Sequence, residues 1–299
     1  MSTVVITKSG EPASRRTAAE GVPWSLWLKA GIIGFVLVLL YKDVLVDLAH
    51  DWWTEPNLSQ GLLIPPLAAF IAWGSREKTL GLPARPDTRG VLAIAFACLL
   101  YVLGKVGAEF FLPRISFVLV LAGLVWTFWG SARLRSLTFP FVLLATMVPL
   151  PTILYNSMAA PLQLFASDIA TKVAELAGVS VYRDGNIISL AHISLGVEEA
   201  CSGLNSLAAL MVGSLLLGFL QCSRTWTRSL LFCLAIPLSI AVNVVRVSGT
   251  AILADYHEKF AMGFYHSFSG WLVFVAGFAV LYGLSKALHH WFERGVGAK

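Results

Sequence analysis

Charge is scarce in this chain. Asp, Glu, Lys and Arg make up 13% of its 299 residues and hydrophobic residues 57%, where soluble domains carry about a quarter charged residues. With a mean hydropathy of +0.74, that balance excludes a soluble globular domain and leaves a polytopic membrane protein. Cysteine is scarce too. Cys98, Cys201, Cys222 and Cys233 match no zinc or CxxC spacing, so neither a disulfide framework nor a metal site is expected. Cys98, Cys222 and Cys233 read as small hydrophobes; only Cys201 has polar company. No cleavable leader is expected either. The opening stretch is polar and carries Lys8, Arg15 and Arg16, so the first apolar segment is expected to stay as an anchor. Repeats, linkers and low-complexity tracts are also absent, which implies one domain.

Membrane helices need about 20 apolar residues. Eight segments qualify, at about 25–41, 58–74, 91–108, 115–130, 137–155, 203–221, 229–254 and 268–288, the fifth interrupted by Pro140, Pro149 and Pro151. With a cytoplasmic N-terminus, fourteen Lys and Arg fall on inner segments and six on outer ones, the asymmetry that orients membrane proteins. The same bias accounts for the net charge of +5 without a nucleic-acid partner. The fold class expected is an all-α polytopic bundle of about eight transmembrane helices with both termini cytoplasmic. Residues 1–24 and 291–299 are tails, and 25–290 form the transmembrane domain.

The one long connection, about 156–200, then lies outside as a small cap. From Ala159 to Gly178 apolar positions recur at helical spacing, with Asp168, Lys172 and Glu175 opposite; this predicts an amphipathic helix ending at Gly178. Asp184-Gly185 between two β-prone runs predicts a hairpin.

The chain leaves this cap through Glu198, Glu199, Ala200, Cys201, Ser202 and Gly203. Cys201 is thereby placed at the start of the sixth helix, where unpaired N–H groups and the helix dipole favour a thiolate. The two carboxylates oppose that ionisation, so a cation is needed. The seventh helix has one. Ser239, Asn243, Arg246 and Thr250 fall on one helical face, and an arginine inside a membrane segment, costing at least ~2.5 kcal/mol, usually faces the interior and marks function. The eighth helix begins with His266 at the level of Cys201, and Gly270 follows at helical spacing. A thiol, a guanidinium and an imidazole thus converge from three consecutive helices, the set needed for Cys–His nucleophilic catalysis with an electrostatic stabiliser. The other histidines (His50, His192, His257, His289 and His290) read as surface residues. Glu199, Ser202, Gly203, Asn243 and Gly270 are candidate substrate-binding or supporting residues.

Glu199-Ala-Cys-Ser-Gly-Leu204, Asn243-Val-Val-Arg246 and His266-Ser-Phe-Ser-Gly-Trp271 resemble the three signature blocks of exosortases, the bacterial relatives of archaeosortases. The resemblance extends through the Pro149/Pro151 region, Pro161-Leu-Gln163 and Asp184-Gly-Asn186. It implies a cysteine transpeptidase of the bacterial inner membrane, with its site extracytoplasmic and no cofactor. Its partners would be membrane-anchored proteins bearing a C-terminal sorting signal (a Pro-Glu-Pro-like motif, a membrane helix and a basic tail), often alongside exopolysaccharide production. By the same resemblance Cys201 is the nucleophile, His266 the acid/base and Arg246 the stabiliser. One departure stands in the early motif, where Gln60-Gly61 replaces an expected His-Gly pair. Two further readings fit the same residues: a non-enzymatic polysaccharide-export protein with Arg246 on a polar path, and a thiol-dependent membrane acyltransferase.

Overall fold

The computed structural model describes residues 24–55, 58–197, 203–261 and 263–293, and the chain divides into two compact units, Met1–Asp43 and Val44–Lys299. The boundary falls inside the first helix, α1 (Trp24–Thr54). In the first unit Ile32, Phe35, Val36 and Leu39 of α1 are exposed, a surface suited to lipid.

The second unit holds nine further helices and one sheet among the described residues. Five helices there are long and apolar enough to cross a membrane: α4 (Arg89–Val106), α5 (Phe111–Ser136), α8 (Leu204–Gln221), α9 (Thr225–Tyr256) and residues Phe268–Phe292 of α10 (Gly263–Glu293). Protein covers only 17–39% of each spanning window, so most of their apolar surface needs another solvent.

Two of the expected segments are built differently. Residues 58–74 form a 3-10 turn, Ser59–Leu63, and α2, Ile64–Gly74, too short together for the usual span. Residues 137–155 are not one helix. The α6 helix ends after Thr138–Ala145, about 12 Å of rise; Pro149 and Pro151 cannot continue it, and α7 begins at Thr152. A short α3 (Arg76–Leu80) follows α2.

Small residues set the packing of α4 on α5. A Cβ at Gly90 would overlap Thr127, one at Gly104 would overlap Pro113, and one at Gly123 would come within 2.7 Å of Ile94. Such approaches let dispersion forces hold helices together where lipid removes the hydrophobic drive. Asp87 anchors the start of α4 by accepting the Arg89 amide at 2.9 Å and the Trp126 indole N–H at 3.0 Å. The Arg89 amide foremost, then the indole and the nearby guanidinium, hold its carboxyl below the ordinary 3.8.

Leu48, Ile64, Ala68, Val118 and Leu143 form one core between α1, α2, α5 and α6. Leu210, Leu217, Leu231, Ala235 and Leu281 form another between α8, α9 and α10. The α9 helix is central to the site because it packs on α7, α8 and α10.

The amphipathic helix of the cap is α7, Thr152–Leu176, which starts seven residues earlier than its periodicity indicates and runs through Pro161. Its end is as expected at Gly178. The Gly178 amide bonds the Glu175 carbonyl at 2.9 Å and the Val179 amide the Ala174 carbonyl at 3.0 Å, a Schellman arrangement. Beyond it β1 (Val181–Asp184) and β2 (Ile187–Leu190) pair antiparallel. The turn sits one residue later than expected, at Gly185-Asn186, with a positive φ of 61° at Gly185 alone; glycine suits the first position of such a two-residue turn. A third strand, β3 (Ser194–Gly196), pairs with β2 and was not anticipated. Ile188 and Val197 pack on Ala166, Ala170 and Val247, which fastens the sheet to α7 and to the end of α9.

Candidate functional site

Gly203 begins the site. It is the N-cap of α8 with φ 85° and ψ −4°, a left-handed conformation that glycine adopts without Cβ strain. A Cβ there would lie 2.8–2.9 Å from Cγ, Cβ and Nδ2 of Asn243 on α9. The space beside Gly203 is thus taken by a side chain of α9. Asn243 is 3% exposed, so the entrance to α8 rests directly on a buried amide.

Arg246 lies one turn further along α9 and meets α10. A Cβ at Gly270 would stand 3.5 Å from Arg246 Nε and 3.6 Å from its Cζ. The guanidinium thus lies beside α10 at position 270, at a distance where a Cβ would be in ordinary van der Waals contact. Arg246 is half-buried and sits ten residues before the end of α9 at Tyr256, about 15 Å along the axis. The polar stripe divides by role. Ser239 donates to the Ile236 carbonyl at 2.8 Å and Thr250 to the Arg246 carbonyl at 2.9 Å, so these two serve their own helix. Asn243 and Arg246 face other helices.

Three chain segments therefore meet around Gly203, Asn243, Arg246 and Gly270. His266 belongs to α10, its backbone one turn before Gly270. Cys201, Ser202, Glu199 and Glu198 lie outside the described residues. Beside the group is a small cavity lined by Phe165 and Ala166 of α7, Gly203, Leu207, Ser239 and Asn243.

Elsewhere, Cys222 is buried and Cys98 half-buried, as small hydrophobes are, whereas Cys233 is exposed on a spanning helix. In the early motif Gly61 packs on the Trp52 indole, which a Cβ would overlap. Trp52 in turn donates to the Met147 carbonyl at 3.3 Å. Sequence reasoning also missed a polar cleft that gathers Asp47, His50, Asp51, Glu55, Glu109 and Arg114. His50, read as a surface residue, is exposed on the last turns of α1. The acidic run near Asp51 and the membrane-edge Arg114 were the available signals.

A family model of transmembrane exosortases matches residues 52–283, a span that contains all three signature blocks. The chain belongs to the transmembrane exosortase family. No curated protein and no solved structure matches it. The match starts at Trp52 and takes in the cap and the four residues gathered at α8, whereas Asp47, His50 and Asp51 of the cleft precede it.

Proposed function

We propose that this exosortase is a membrane-embedded cysteine transpeptidase that cuts the C-terminal sorting signal of exported proteins at the outer leaflet of the bacterial inner membrane. The observation that carries the reading is the meeting of Gly203, Asn243, Arg246 and Gly270, which joins all three signature blocks in space. Cys201 is two residues from Gly203, a separation that extended chain spans in at most about 7 Å. His266 is one turn from Gly270, which itself abuts Arg246.

The chemistry follows from those positions. The Cys201 thiolate, favoured by the start of α8 and by the Arg246 charge, attacks the scissile carbonyl. Arg246 stabilises the oxyanion of the tetrahedral intermediate, and His266 protonates the leaving amine. The acyl group then rests on Cys201 as a thioester until an acceptor takes it. The chain crosses the membrane eight times in this reading: α1, residues 59–74 and the broken 138–155 segment add three crossings to the five long helices. Backbone interrupted at Pro149 and Pro151 is tolerated at membrane depth where protein surrounds it. Both termini are then cytoplasmic and the cap is outside.

Thiol reactivity tests the activation directly. Full-length protein with Cys98, Cys222 and Cys233 replaced by Ala should be labelled at Cys201 by a thiol-reactive probe at neutral pH. Labelling should slow about tenfold or more in Arg246→Gln, since each pKa unit of thiolate stabilisation is a tenfold change in thiolate fraction. Equal labelling rates with and without Arg246 would contradict the role given to it.

A further inference from the structure

The strand that leads into the site has one open side. In the three-stranded sheet β2 lies in the middle, with β1 at one edge and β3 at the other. The β1 edge lies against α7, where Arg183 donates to Asp168 at 3.3 Å. At the β3 edge, among the described residues, no backbone hydrogen bond from beyond the sheet reaches Ser194, Leu195 or Gly196.

The register shows which groups that edge presents. The Val197 amide donates to the Asn186 carbonyl at 2.9 Å, and the Leu190 amide to the Ile193 carbonyl at 2.8 Å. Bonded and non-bonded pairs alternate along an antiparallel ladder, so Ile188↔Leu195, midway between those two, is a bonded pair as well. Ile187↔Gly196 and Ser189↔Ser194 are then the non-bonded pairs. Side chains come closer in such pairs, and the Ser189 and Ser194 hydroxyls meet at 3.1 Å. The N–H and C=O groups of Ser194 and Gly196 therefore point away from β2, along the open edge.

Natural sheets guard such edges with charge, proline or a bulge. Ser194-Leu-Gly196 contains no charged residue and no proline, and its pairing with β2 runs unbroken. Leu195 packs on the core that joins the sheet to α7 and α9, while Ser194 and Gly196 are exposed. The edge is held from behind and open in front. It also leads somewhere. Cys201 follows Gly196 by five residues, and Gly203 then opens α8 against Asn243. An alternating row of backbone donors and acceptors is matched by another extended backbone, the basis of strand addition.

We propose that a segment of the membrane-anchored substrate adds to β3 as a fourth strand and is thereby guided towards Cys201. The identity of that strand as substrate rests on the transpeptidase reading; the open edge does not. In that reading β3 runs from the cap towards the membrane. A substrate with its membrane helix at the C-terminal end runs the same way, so the pairing is parallel. The slanted bonds of a parallel pair reach the residues on either side of the one opposite. The substrate residue facing Leu195 thus donates its N–H to the Ser194 carbonyl and accepts from the Gly196 amide. Its two neighbours turn their backbone groups away from β3, where proline costs no bond. A Pro-Glu-Pro-like signal meets that pattern, with the middle residue supplying its N–H and both prolines on the solvent side.

Crosslinking tests the pairing without cleavage. Full-length protein with Cys98, Cys222, Cys233 and Cys201 replaced by Ala is co-expressed with a reporter bearing such a signal, a membrane helix and a basic tail. Ser194→Cys is combined with single cysteines placed in turn along the reporter, and disulfides are read on non-reducing gels after oxidation. Crosslinks should appear at alternate reporter positions, because side chains two apart share one face of a strand. Equal crosslinking at every position, or crosslinks only between two copies of the protein, overturns the proposal.

Processing gives a second readout in protein that keeps Cys201. Gly196→Pro removes the outward amide and leaves every bond to β2, since an edge strand tolerates proline on its open side. It should slow processing about fivefold or more, the scale of one lost hydrogen bond. Gly196→Ala keeps the amide and should recover most of the rate. Wild-type processing by Gly196→Pro overturns the proposal; if hydrogen exchange shows the sheet lost in that variant, the crosslinks decide. Normal processing by Cys201→Ala would remove the transpeptidase reading, and the crosslinks would still test the pairing.

Discussion

A methyl group at position 203 would have nowhere to go. The backbone there is left-handed, and Asn243 fills the space a Cβ needs. Left-handed backbone costs a non-glycine residue about 1–2 kcal/mol, and the overlap adds to that. Gly203→Ala should therefore lower thermal stability measurably and cut processing at least about tenfold, because the residue that moves is two positions from the nucleophile. Adding Asn243→Ala should return part of the stability by making room, with the conformational cost still present. Full activity in Gly203→Ala would mean that the entrance to α8 does not position Cys201. The polar members of this site were legible because membrane sequences spend polar residues sparingly: Arg246 in a spanning helix cannot be ignored. Gly203 was marked by its place at a helix start, but its purpose was not. What a glycine leaves room for depends on which residue faces it from another helix.

Hairpin and helix of the cap were both visible in the pattern, each with a shifted boundary. Asp184-Gly-Asn186 announced a turn, and the twist preference of a two-residue loop then chose Gly185-Asn186 over Asp184-Gly185. The early start of α7 was hidden by Pro149 and Pro151, which marked a break without showing on which side the helix resumes. One ionic contact ties these elements together. Asp168 on α7 accepts from Lys172 at 2.7 Å and from Arg183 of β1 at 3.3 Å. The Lys172 hydrogen bond first, then the two cations, keep the Asp168 carboxyl below its ordinary 3.8. A carboxyl with a lowered folded-state value adds stability above its unfolded value and loses it as the pH falls through the folded one. Hydrogen exchange in β1 and β2 should thus accelerate as the pH drops below 3.8, beyond the intrinsic trend. Asp168→Asn should show that faster exchange already at neutral pH and lose the acid dependence. An unchanged acid dependence in Asp168→Asn would assign the effect to another group.

At the scale of the whole molecule, composition and segment length revealed a helical membrane protein, and the charge asymmetry predicts an orientation for it. Length alone overstated the helices: residues 58–74 and 137–155 are apolar enough to cross, but the chain breaks them into shorter pieces. The polar cleft was illegible for a different reason. Its groups come from three separate stretches of chain that only tertiary packing assembles. Sidedness is checked with a membrane-impermeant maleimide on intact spheroplasts. Tyr182→Cys in the cap, at an exposed position, should react at once; Trp291→Cys, exposed at the other end of α10, should react only after lysis. The reverse result would invert the topology and place the site in the cytoplasm. The central claim is that Cys201 is the nucleophile. The most direct measurement co-expresses the full-length protein with a reporter bearing a Pro-Glu-Pro-like motif, a membrane helix and a basic tail, and follows loss of the tail on blots. Wild type should process the reporter, and Cys201→Ala, inserted at the same level, should leave it uncut. Normal processing by Cys201→Ala would contradict the mechanism.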